Sequence, residues 1–203
     1  MRMIQTDKQK KKQAGFALLM TIVILTVVVS ITLSVIGLSI KQTRITANTT
    51  DSEIAFHASN AGLECVRHWR RNQSASFEAG ALLPIDCLGS NNVTPNERNS
   101  YNSSHRDVSG SGSIHQYQYR ITWGAGEFER CSEMTFLIFV SNLSGGNPLT
   151  MDNMSEYIAG YPNESKTCEV GGRCTVFSAR GYSSACSDID QIGTIQRDLL
   201  LEF

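Results

Sequence analysis

The spacing of hydrophobic residues changes along the chain and divides it into parts. From Phe16 to Ile40 there are 25 residues without a charge. A helix of that length covers roughly 37 Å at about 1.5 Å per residue, enough to cross a bilayer core of about 30 Å. Its polar members, Thr21, Thr26, Ser30, Thr32, Ser34 and Ser39, carry small hydroxyls that can bond back to the helix's own carbonyls, so lipid tolerates them. Gly37 leaves a place where another helix can approach closely. After Lys41 the chain runs without proline to Leu83, and Ile54, Ala58, Ala61, Cys65 and Trp69 recur at intervals of three and four, as one face of an amphipathic helix does. This pattern predicts one continuous helix over about 16–71, its second half (41–71) packed on a globular domain over 72–203. Cys65 and Trp69 then read as core residues.

Residues 88–113 are rich in Ser, Asn and Gly, which favours loop. The period then becomes two. Tyr117, Tyr119, Ile121 and Trp123 alternate with Gln118, Arg120 and Thr122, the repeat of a half-buried strand. Strands are expected near 115–123, 134–141, 174–182 and 194–203. The run from Met134 to Val140 is more continuously apolar, which suits a central strand, and in the last strand Ile195, Leu199, Leu201 and Phe203 face one way. Four strands after one helix, with no second long helix to cross over, predict an α+β fold in which a small antiparallel sheet lies on the long N-terminal helix. The segment 142–173 is long for a connection between strands. It reads as a surface offered to partners or as a tolerated insertion.

Charge orients the apolar segment. Arg2, Lys8, Lys10, Lys11 and Lys12 precede it with Asp7 as the lone acid, and only Lys41 and Arg44 lie close behind it, so the N-terminus is expected to stay cytoplasmic and the chain beyond about residue 40 to be exported. A cleaved signal peptide would have an apolar core of roughly 7–15 residues followed by a small-x-small site. Here the run is longer, and Ile45 and Ala47 make a poor cleavage pair.

The junction Lys12-Gln-Ala-Gly15 directly before Phe16-Ala-Leu-Leu19 resembles the prepilin leader of type IV pilins and type II secretion pseudopilins. The resemblance implies a basic leader (1–15) removed by a prepilin peptidase between Gly15 and Phe16, methylation of the new N-terminal Phe16, and a membrane or fibre-core helix over 16–40. It implies a pilin-like fold and partners that are other pilin subunits, the assembly platform, the peptidase and the inner membrane. Phe16, Leu18, Leu19, Met20 and Ile22 become the helix surface that meets neighbouring subunits. Most members carry glutamate at the fifth mature position, where it pairs with a neighbour's terminal amine and so neutralises two charges that would otherwise be buried; here that position is Met20. Members without it resemble tip-type minor pseudopilins and PilX-like minor pilins, and the stretch Ala55-Phe-His-Ala-Ser-Asn-Ala-Gly-Leu-Glu-Cys65 is similar to the one that follows the membrane helix in the PilX-like group. The expected product starts as an inner-membrane precursor and ends in an extracellular pilus or periplasmic pseudopilus. The alternative is an uncleaved, single-pass anchored binding domain outside the cytoplasm.

Composition agrees with export. The leader holds five of the 18 basic and one of the 19 acidic residues, so the remainder carries 13 and 18 for a net charge of −5. That gives no electrostatic footprint for nucleic acid, and a DNA-capturing pilin, the third reading, would rest only on scattered Arg67, Arg70, Arg71 and Arg120. All six cysteines, Cys65, Cys87, Cys131, Cys168, Cys174 and Cys186, fall in the exported part, where an even count favours disulfides. Fifteen pairings are open. We expect Cys65 with Cys87, fastening the following loop back to the helix, and the other four clustered near the C-terminal strands. No Cys-x2-Cys zinc knuckle occurs. His57, His68, His105 and His115 lack metal-ligand spacing, Ser109-Gly-Ser-Gly-Ser113 has no strand leading into it as a nucleophile elbow needs, and no phosphate loop is present. The expectation is a non-enzymatic subunit without cofactor or metal. The Asn-x-Ser/Thr triplets at Asn92 and Asn163 read as chance in a Ser/Asn-rich chain.

Overall fold

The structure is a computed structural model describing residues 5–144 and 146–203, with residues 5–15 and Glu127 described in backbone only. It divides into two compact units, one ending at Asn48 and one spanning Thr49–Phe203. The leader expected over 1–15 therefore lies partly outside the described residues, and the remainder of it is helical. Helix α1 runs Gln5–Asn72, beginning ahead of the expected Phe16 because Lys and Gln are good helix formers and Gly15 costs only about 1 kcal/mol in a helix interior.

In the second unit α1 is followed by α2 (Ser74–Glu78), β1 (Ile85–Cys87), β2 (Ser90–Val93), β3 (Glu97–Asn102), β4 (Val108–Ser109), β5 (Gly112–Trp123), β6 (Arg130–Ser141), β7 (Leu149–Met151), α3 (Met154–Tyr157), β8 (Lys166–Cys168), β9 (Arg173–Tyr182) and β10 (Gln196–Glu202). The main sheet has the order β10-β9-β6-β5-β3, all antiparallel, beside a β1-β2 hairpin and a three-stranded β4-β7-β8 sheet.

The α+β arrangement expected from the sequence is present, with corrections. The sheet has five strands, because Ser/Asn-rich residues 97–102, assigned to loop, pair with Ser113–Gln118 of β5. β3 is almost wholly exposed and shows no hydrophobic alternation, so pairing with a neighbour overrides its weak strand propensity. The long connection 142–173 is not structureless either. It carries β7, α3 and β8.

The stripe of α1 that faces the sheet also sits one position away from the one predicted. Ala55, Ala58, Ser59, Gly62, Leu63, Val66 and Arg70 are buried, whereas Ile54, Ala61, Cys65 and Trp69 flank them at half burial. Small residues set this choice, since they let the helix backbone come close to the strands. A Cβ added to Gly181 of β9 would collide with the Ala55 carbonyl and the Ser59 amide, and one added to Gly62 would stand 3.1 Å from the Met134 side chain. At the contact Ser132 Oγ donates to the Ala58 carbonyl at 2.8 Å and accepts from Trp123 Nε1 at 3.0 Å.

Alternation along the strands divides the sheet into two buried faces. The helix side holds Tyr117, Tyr119 and Ile121 of β5, Met134, Phe136 and Ile138 of β6, and Phe177 and Ala179 of β9, with Leu63, Val66 and Phe77 over them. Phe136 lies at its centre, its ring 5.2 Å from Tyr117, 5.9 Å from Tyr119 and 5.4 Å from both Phe77 and Phe177. The tyrosine hydroxyls donate to the carbonyls of Phe77, Ala81 and Leu83, which fixes the segment after α1, and burial pushes the Tyr117 phenol up to about 12. The opposite face holds Ile114, Leu137, Phe139 and Val176 under Leu149, Met151, Met154, Ile158 and Tyr161. Because both faces of β6 are covered from Phe136 to Phe139, that stretch is apolar without alternation.

Three disulfides close the second unit: Cys65–Cys87, Cys131–Cys186 and Cys168–Cys174, with sequence separations of 22, 55 and 6. Arg70, buried at the helix end, donates to Glu78 at 2.7 Å and to Thr175 at 3.3 Å, and Arg173 reaches the same Glu78 at 3.2 Å.

Two outcomes follow for stability. Gly181→Ala meets rigid backbone and is expected to cost about 3 kcal/mol or more, whereas Gly62→Ala meets the flexible Met134 side chain at 3.1 Å and the Ser132 Cβ at 3.2 Å while gaining helix propensity, so its net cost is expected to be smaller, about 1 kcal/mol; denaturant titration of both variants checks the order. On the chain-entropy account, the Cys131→Ser/Cys186→Ser pair costs about 4 kcal/mol and the Cys168→Ser/Cys174→Ser pair about 2 kcal/mol, and equal losses in thermal unfolding would contradict it.

Candidate functional site

Two surfaces stand out, one on each unit. The first is the apolar part of α1, where Phe16, Leu18, Leu19, Met20 and Ile22 are all exposed, as is every large hydrophobic side chain from there to Ile40; Gly15 precedes them in the same helix. The hydroxyls along it are satisfied internally. Thr21 donates to the Leu18 carbonyl at 2.8 Å, Thr26 to Val23 at 2.8 Å, Ser30 to Thr26 at 2.9 Å and Thr32 to Val28 at 2.8 Å. Nothing lies within 4 Å of a Cβ placed on Gly37. Among the described residues this is one helix near the N-terminus that is long and apolar enough to cross a membrane. Each Leu, Ile or Val held in water there forgoes about 1.5–3 kcal/mol of burial, so the surface calls for lipid or other helices around it.

The second surface is a groove of about 230 Å³ on the sheet face away from α1. It opens where the cover made by β7, α3 and β8 stops, and register explains its composition. One row across the sheet aligns Glu97, Gln118, Thr135 and Ser178; the next aligns Arg120, Glu133, Arg180 and Asp198. Glu133 is buried, with Arg120 Nε donating to its Oε1 at 2.6 Å and the Tyr182 hydroxyl to its Oε2 at 2.9 Å. At the floor, Gln116 Oε1 accepts from the Tyr101 hydroxyl at 2.7 Å and Asn99 at 3.1 Å, while its Nε2 donates to the Tyr157 carbonyl at 3.2 Å.

The wall formed by α3 is fixed by Asp107. The Tyr157 hydroxyl donates to this buried carboxylate at 2.6 Å, Asn153 Nδ2 at 2.8 Å and Arg106 Nε at 3.0 Å. The Tyr157 bond foremost, then those from Asn153 and Arg106, hold the Asp107 carboxyl down to about 2 against the opposing effect of burial. Burial, with Asp107 beside it, pushes the Tyr157 phenol well above its ordinary range. Arg106 continues to Glu156 at 2.8 Å.

The histidines do not converge. His115 is buried between Ser100 and Ser113, whose hydroxyls lie 2.8 and 3.1 Å from its ring nitrogens, and burial lowers its pKa. No group of three or more metal-ligating side chains occurs among the described residues. Sequence reasoning missed the groove because its parts come from β3, β5, β6, β9 and α3. The one signal was the polar phase of β5, Gln118 and Arg120, which reads equally well as a solvent face.

Asp107 gives a pH test. Its folded pKa lies below the ordinary carboxylate value of about 3.9, so its contribution to stability is present above that value and is lost as pH falls through it toward about 2. In Asp107→Asn the loss of stability between about pH 4 and pH 2 is expected to be shallower than in the parent, as read by urea unfolding across that range.

Compared with known proteins, the chain matches no family model, no curated protein and no solved structure.

Proposed function

We propose that the chain is a minor pilin or pseudopilin, a non-enzymatic subunit made as an inner-membrane precursor, cut between Gly15 and Phe16, and assembled near the tip of a type IV pilus or related secretion pseudopilus, where it acts in assembly or adhesion. The observation that carries this reading is the sequence Lys-Gln-Ala-Gly15 abutting 25 uncharged residues that begin at Phe16. It is supported by a helix whose later residues lie on an antiparallel sheet closed by disulfides. In this reading the exposed side chains Phe16, Leu18, Leu19 and Ile22 meet other subunits' helices, through dispersion and close packing rather than through the hydrophobic effect while they are in lipid. Met20 leaves no carboxylate for a neighbour's terminal amine, which favours few copies at a particular place over a repeating fibre.

The alternative is an anchored domain that keeps its N-terminus and never polymerises. Intact mass of the protein from its native membrane separates the two. A chain beginning at Phe16 with one added methyl is expected, and Gly15→Leu is expected to leave the full-length chain, because the peptidase of this family accepts little beyond a small residue there. A full-length parent in membranes that contain the peptidase would overturn the reading.

A further inference from the structure

Within the groove, the polar side chains fall into two groups. Those already engaged are Gln116, bonded on both its oxygen and its nitrogen, Glu133, held by Arg120 and Tyr182, and Glu156, held by Arg106. Arg180 stands 4.0 Å from Asp198. The row between them is different. Gln118, Thr135 and Ser178 sit side by side on β5, β6 and β9, all buried or half-buried, and none of the three side chains hydrogen-bonds another of the described residues. Neighbouring strands are about 4.8 Å apart, so this row sets an amide and two hydroxyls about 10 Å across on a rigid central sheet, with the buried Ile158 of the α3 side as an apolar wall.

We propose that this groove binds a neutral polyhydroxyl ligand, one sugar ring or the end of a glycan chain. Charge selects the class. The buried carboxylate of Glu133 is matched by Arg120; at the rim the half-buried Arg180 lies 4.0 Å from Asp198 and the exposed Glu97 ends the row, so charges of both signs stand at the edge while the floor carries none unmatched. An amide and hydroxyls each both donate and accept, the pattern that complements a ring of alcohols. The row is preorganised, because it stands on paired strands and the adjoining wall is locked by Asp107, so little ordering opposes binding. The site is independent of whether Gly15 is a cleavage point.

The test uses the full chain in lipid nanodiscs, since glycoside detergents would compete. Glucose, galactose, N-acetylglucosamine and chitobiose are titrated by saturation-transfer NMR and calorimetry. At least one of them is expected to bind saturably, and Gln118→Ala and the isosteric Thr135→Val are each expected to weaken it about five- to tenfold, the usual effect of losing one hydrogen bond, with thermal unfolding unchanged in Thr135→Val. Tighter binding of chitobiose than of N-acetylglucosamine assigns the groove to a glycan chain, and equal binding assigns it to a single ring. Failure of all four sugars to bind, binding as tight in both variants as in the parent, or saturable binding of inorganic phosphate or tetramethylammonium without any sugar overturns the proposal.

Discussion

The second unit depends on how closely one helix can approach one sheet. Ala55, Ala58, Ser59 and Gly62 on the helix face Gly181, Ala179 and Ser132 on the strands, and the missing side chains at this contact bring backbone against backbone. Larger residues lie further along, where Leu63 and Val66 meet the aromatic cluster around Phe136. The helix is thus tight against the sheet at one end and separated from it by a thick apolar layer at the other, with Arg70 and Glu78 completing the thick end. Steric repulsion makes this contact intolerant of added atoms where backbone meets backbone, at Gly181 above all, because the interior is already packed to crystal-like density.

Covering the sheet's opposite face is the task of the segment between β6 and β9. Its Leu149, Met151, Met154 and Ile158 provide a second core, and it ends at the short Cys168–Cys174 loop. Because this cover is smaller than the sheet, it leaves a step, and the polar groove lies along that step. Site and second core are two results of one insertion.

How much of this was legible in the sequence varies with the physical cause. The apolar helix and strands β5, β6 and β9 were readable because their burial imposes a period on the chain. β3 was not, since its side chains point into water and backbone pairing alone makes it a strand. The helix stripe was misplaced by one position because Ala55, Ser59 and Gly62 are selected for small size, which hydrophobicity does not register. The partners of Cys131 and Cys168 depend on strand order, which periodicity cannot supply. The groove, assembled from single residues on five elements, leaves no local trace. The Gly15–Phe16 junction is the opposite case: it is visible only as sequence and has no counterpart in the geometry of the second unit.

The Cys65–Cys87 bond gives the helix a mechanical character. Cys65 lies on the part of α1 that packs against the sheet, and its partner lies beyond the helix end in β1. A pull on Thr49 directed along the helix axis loads the Ala55–Val66 contact in shear, in which the helix slides across the strands rather than peeling from them one turn at a time. If that contact slips, tension passes through sulfur into β1, and the chain between the two cysteines carries none of it.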